Sequence, residues 1–88
     1  MKTILFYWSK GSVTRVRIVK IIAQYEREGE PCYLSRLSEK LGMSHPSVKK
    51  HLDVLLKMGY VQIINPGGKP NYLSLTPNGI DVLKEFSR

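Results

Sequence analysis

The stretch Gly42–Leu55, "GMSHPSVKKHLDVL", decides how this chain folds. Val48, Leu52 and Leu55 recur at helical steps and mark the apolar face of a helix. Ser44 stands at the cap position, where its hydroxyl can accept a hydrogen bond from an orphan backbone amide near Ser47. Met43 and Val48 have the spacing of a hydrophobic staple. Pro46 falls in the first turn, where a missing amide proton costs nothing. Gly59 ends the helix. The outer face then carries His45, Ser47, Lys49, Lys50 and Asp53, with His51 on its flank. No acidic residue lies between Glu39 and Asp53, and the amino end of a helix already attracts anions.

Upstream, Leu34, Leu37 and Leu41 share one face of a short helix over Leu34–Leu41, which Gly42 ends in a left-handed turn. Two helices joined by a short glycine-containing turn have the layout of a helix-turn-helix. Further upstream, Ser12 is expected to cap a helix running from about Val13 to Glu28, with Gly29 as its stop. Its polar stripe is narrow: Arg17, Lys20, Gln24 and Arg27 or Glu28. The apolar arc is wide enough to face both its own domain and a second surface. Between the two helices, "EPCYL" (30–34) reads as a short strand, with Pro31 at an edge.

Downstream, Val61 with Ile63 and Leu73 with Leu75 alternate as the inward positions of two strands, and Ile64 is expected to rest against the base of the loop. The intervening "NPGGKPN" (65–71) has turn chemistry throughout, and its tip carries Lys69, Asn65 and Asn71, suited to a phosphate or minor-groove contact. Thr76 and Pro77 open a last helix, Leu75 and Ile80 have staple spacing, and Ile80, Val82, Leu83 and Phe86 are its apolar positions. Packing against the N-terminal segment is expected to hold this short helix. The expected fold is therefore α+β and mostly helical, a winged helix-turn-helix: helix, short strand, helix, recognition helix, β-hairpin wing, C-terminal helix. It forms a single domain over residues 1–88, with 1–11 and 77–88 contributing to a dimer interface.

Composition agrees with that surface. Fourteen Lys and Arg against seven Asp and Glu leave the 88-residue chain at +7, a field that favours polyanions, nucleic acid before membrane. The apolar run Ile4–Trp8 is too short for a signal h-region or a membrane span, so the chain is read as cytoplasmic and unprocessed, with a neighbouring subunit covering the run. Cys32 is the only cysteine, which excludes an intrachain disulfide and leaves an intersubunit disulfide open. His45 and His51, six apart, fall on different helix faces and do not pair as metal ligands. No nucleophile–base arrangement or phosphate-cradling glycine motif has persuasive spacing, and "NPGGKP" lacks the P-loop pattern. The expectation is no enzyme, no cofactor and no metal.

With these residues in view, "LSRLSEKLGMSHPSVKKHLDVLLKMGYV" and "YLSLTPNG" resemble the helix-turn-helix and the wing-to-helix junction of small winged-helix transcriptional regulators of the ArsR/MarR-like type. "SKGSVTRVRIVKII" is similar to the preceding segment of archaeal members. The resemblance implies contact with double-stranded DNA from Ser44, His45, Ser47, Lys49 and Lys50, and backbone contact from Arg36 and from Lys69 in the wing. Arg15 and Arg17 are expected to approach phosphates. It also implies a homodimer. No small-molecule effector is identifiable, since neither paired metal ligands nor long dimerisation helices match. The function expected is a sequence-specific DNA-binding transcription regulator. The alternatives are a non-specific architectural DNA-binding protein and a winged-helix protein-interaction module.

Overall fold

The computed structural model describes residues 6–7 and 10–86. Among them are four helices, α1 (Ser12–Arg27), α2 (Leu34–Leu41), α3 (His45–Lys57) and α4 (Pro77–Phe86), and two strands, β1 (Val61–Ile63) and β2 (Leu73–Leu75). The strands pair antiparallel, with Val61 opposite Leu75, Gln62 opposite Ser74 and Ile63 opposite Leu73. This is a winged helix-turn-helix, as the apolar spacing predicts.

The core forms where the helix faces converge. Ile18 and Ile22 of α1, Leu37 of α2, and Val48 and Leu55 of α3 have no exposed surface. Val61, Leu73 and Leu75 close the same core from the hairpin. Burying a side chain of this size is worth about 1.5–3 kcal/mol, so these contacts fix the outward face of α3. The α2–α3 turn needs only Gly42, Met43 and Ser44. Gly42 takes φ 66°, a conformation that costs other residues more. Ser44 caps α3 by accepting from the Ser47 amide at 3.3 Å.

Two elements differ from expectation. Ser12 does not cap α1: it is the first helical residue, and Gly11 stands at the cap with φ 86° and no side-chain hydrogen bond. Gly11 is required there twice over, because a β-carbon would come 2.5 Å from His51 Cε1. The short strand expected in 30–34 is not formed. What remains of it is a single ladder-like bond, in which Leu73 N donates to the Cys32 carbonyl at 2.8 Å. Pro31 has no amide proton to extend the pairing.

Phe6 and Tyr7 pack against the end of α4 within the chain. Phe6 is buried, edge-on to Tyr60 with ring centroids 5.1 Å apart, and Tyr7 stacks on Phe86 at 5.1 Å. Tyr7 Oη also donates to Glu85 Oε2 at 3.1 Å. Phe6 is thus covered by its own domain, not by a neighbouring subunit; Ile4, Leu5 and Trp8 lie outside the described residues. Thr76 caps α4 as expected, accepting from Gly79 N at 3.2 Å. Ile80, its expected staple partner with Leu75, is instead 41% exposed.

Candidate nucleic-acid interface

α3 presents His45, Lys49, Lys50 and Asp53 to solvent, with Ser47 half-buried beside them, while Val48, Leu52 and Leu55 anchor the opposite face. The cap orders the leading turn: Ser44 Oγ accepts from Ser47 N and donates to Ser47 Oγ at 2.9 Å. Ser47 keeps a hydroxyl proton to donate outward. Ser44 is more committed to the cap than an ordinary surface serine.

The two lysines are not equivalent. Lys49 Nζ pairs with Asp53 at 3.1 and 3.2 Å, one helical turn on. Such an exposed pair contributes about 0.3–0.5 kcal/mol, so a phosphate or base edge can displace it. Lys50 has no ion-pair partner among the described residues.

Lys69 stands exposed at the wing. It shares with Lys49 and Asp53 a cleft of about 480 Å³ between α3 and the hairpin, floored by Leu52, Leu56 and Ile63. The fold thus brings the wing lysine and the helix lysine to one opening. Asn65 does not present its amide outward as expected. Its Oδ1 accepts from Tyr72 N at 2.6 Å and its Nδ2 donates to the Pro70 carbonyl at 3.1 Å, bracing the loop. Ile64 is 60% exposed instead of resting on the loop base. With Ile63 facing inward, alternation turns its neighbour outward.

Arg36 is engaged elsewhere. It pairs with Glu30 at 3.2 Å, donates to the Pro31 carbonyl at 3.0 Å, and lies over the rings of Tyr25 and Tyr33 at 5.2 and 5.1 Å. It lines neither cleft beside α3. Arg15, expected near phosphates, is 7% exposed: one guanidinium nitrogen meets His51 Nδ1 at 3.1 Å and the other donates to the Lys10 carbonyl at 2.9 Å. Arg17 is exposed. Sequence reading missed Lys10 altogether and left His51 on the flank. The signal available was its place directly after Lys50, on the side facing α1, but nothing in the pattern of α3 alone points to Gly11.

Cys32 is 2% exposed, and burial pushes its thiol up to about 12, against a smaller lowering effect of Arg36. A sulfur so enclosed, in a thiol so weakly acidic, is a poor partner for disulfide exchange. Among the described residues no three His, Cys, Asp or Glu side chains gather as a metal-ligand set, and no helix is long and apolar enough to cross a membrane.

Residues 12–62, from the start of α1 into β1, match the family described as bacterial regulatory protein, arsR family. No curated protein matches the chain. Among solved structures, Staphylococcus aureus MarR in complex with salicylate and kanamycin superposes with a TM-score of 0.69 at 22% identity, over 81% of this chain and 46% of that one. The multiple antibiotic-resistance repressor of Listeria monocytogenes gives 0.71 at 20% identity, over 84% and 48%. Lactococcus lactis ZitR, a zinc-responsive MarR family member, gives 0.71 at 26% identity, over 90% and 53%. The chain therefore spans about half the length of these structures, and they share its winged-helix architecture. The match runs through the whole helix-turn-helix and covers more than half of the sequence: the chain belongs to the arsR family of bacterial regulatory proteins.

Proposed function

We propose that this protein is a sequence-specific double-stranded DNA-binding transcription regulator that acts as a homodimer. α3 enters the major groove, and the wing carries Lys69 to the backbone or minor groove. The observation that carries the reading is the two-sided character of α3: Val48, Leu52 and Leu55 are locked in the core while His45, Ser47, Lys49 and Lys50 project from its amino-terminal half. That half of a recognition helix is the part that meets base edges. Lysine ammonium and imidazole groups can read guanine acceptors there, and Ser47 can donate to a base or phosphate. Dimerisation is supported by Val13 on α1, 73% exposed, and Ile80 on the adjacent α4, two large apolar groups left uncovered by the single chain. Two probes related by a dyad read half-sites roughly 34 Å apart.

Selection of bound sequences from a random duplex pool at moderate salt tests this. The expected result is a pseudo-palindromic consensus bound on the order of 10³-fold or more tightly than random duplex, with affinity falling steeply as salt rises. Binding without enrichment would instead identify a non-specific architectural protein.

A further inference from the structure

α3 is flanked by two clefts that share none of the described residues, and their linings differ in kind. The wing-side cleft has the apolar floor described above. The other, about 570 Å³ between the start of α1 and the middle of α3, is lined by Lys10, Gly11, Arg15, Lys50, His51 and Val54. Among these described lining residues three carry positive charge, one is a histidine, and none is acidic. Positive groups from the loop before α1, from α1 and from α3 thus converge across one opening. Such convergence is repulsive unless an anion fills the space.

Three further features suit an anion of phosphate type. Arginine can only donate, so its 3.1 Å contact with His51 makes Nδ1 the acceptor and leaves the neutral ring's proton on Nε2, as a donor. The guanidinium is held in place by the Lys10 carbonyl, which keeps its charge at the cleft. Gly11, at the cap position of α1, has no side chain to occupy the first amides of that helix. The local field is visible in His51 itself, whose imidazole is held below the ordinary histidine value by burial first, then by Arg15 and Lys50.

We propose that this cleft is a seat for a phosphate group, with Lys10, Lys50 and His51 as its donors and Arg15 as a fixed charge beside it. Two sources share that chemistry: a backbone phosphate of the duplex bordering the groove that α3 reads, and a free phosphoryl compound. The first rests on the DNA-binding reading given above; the second does not.

The experiment uses the full chain in two arms. In the first, inorganic phosphate is titrated against chloride at matched ionic strength while the ring protons of both histidines are followed by NMR. Phosphate should move the His51 titration midpoint upward and leave His45, outside the cleft, where chloride leaves it. The surface variant Lys10→Gln should weaken the His51 response several-fold. In the second arm, duplex affinity is measured against salt. Loss of one phosphate contact in Lys10→Gln should make the log–log slope shallower by about 0.9, equally for selected and random duplex. A His51 response with that change assigns the seat to the duplex backbone; a response without it assigns the seat to a free phosphoryl compound. Equal behaviour of His51 and His45 in phosphate overturns the proposal, whatever the duplex arm shows. A chain that fails to bind duplex but shows the His51 response overturns the DNA reading and leaves the seat standing.

Discussion

The carbonyl oxygen of Tyr60 occupies the space beside Gly79: a β-carbon on that glycine would lie 2.2 Å from it. The oxygen is held there by Thr76 N, which donates to it at 3.2 Å, while Thr76 Oγ1 donates to the neighbouring Gly59 carbonyl. The end of α3, the base of the wing and the start of α4 are thereby tied at one point.

Gly79→Ala is expected to destabilise the protein. Helix propensity alone argues the opposite, since alanine is favoured over glycine by about 1 kcal/mol inside a helix. The clash is with backbone, which cannot rotate away, and forced overpacking typically costs about 1–3 kcal/mol. Chemical denaturation should show a lower midpoint with an unchanged slope. A stabilised variant would mean that α4 and the Tyr60 backbone separate easily.

That site also shows where sequence reading ran out. The spacing of Leu34, Leu37, Leu41, Val48, Leu52 and Leu55 announced both helices of the motif, and Ser44 and Thr76 announced the caps of α3 and α4, because periodicity and capping are local. The need for glycine at 79 depends on a carbonyl nineteen residues earlier, and the need at 11 on a ring forty residues later. Neither is encoded in neighbouring residues. The same division runs through the interface. His45, Lys49 and Lys50 were legible as an exposed face. The engagement of Arg36 with Tyr25 and Tyr33, the use of Asn65 as a loop brace and the burial of Arg15 follow from packing between elements, to which one-dimensional spacing is blind.

Asp53→Asn is expected to strengthen duplex binding. The carboxylate holds Lys49 Nζ at 3.1 Å and faces the same side as the bound polyanion would. Neutralising it frees the ammonium and removes a repulsion, a change on the order of 0.5–1 kcal/mol, or about two- to fivefold in affinity. Folding stability should fall by less, about 0.3–0.5 kcal/mol, for one exposed pair. Electrophoretic mobility shift at fixed salt reads the first and thermal melting the second. Weaker binding by this variant would place Asp53 itself in contact with a base.

Cys32 should be unreactive in the folded protein. Its thiol is 2% exposed and pushed up to about 12, so the thiolate that attacks disulfides is scarce at neutral pH. An aromatic disulfide reagent should titrate no thiol under native conditions and one per chain in denaturant, and non-reducing electrophoresis should show no covalent dimer. Rapid native labelling would show that α1 and the Cys32 segment part readily from β2.

Folding stability should depend on pH through His51. Its imidazole is held below the ordinary value by burial, Arg15 and Lys50. Lys10 lines the same cleft from the loop before α1, and among the described lining residues no acidic one offsets these charges. In the unfolded chain the ring takes up a proton near pH 6.5, while the folded ring does so only at lower pH. Between those points the unfolded state binds more protons, so stability is whole above about 6.5 and declines as pH falls toward the folded value. The Arg15 contact sharpens this, since a protonated Nδ1 can no longer accept from the guanidinium. His51→Gln keeps an acceptor without a titrating proton. Denaturation midpoints between about pH 7.5 and 5.5 should fall for the parent chain and fall less for the variant. Parallel curves would show that the ring leaves Arg15 at no cost when it is protonated.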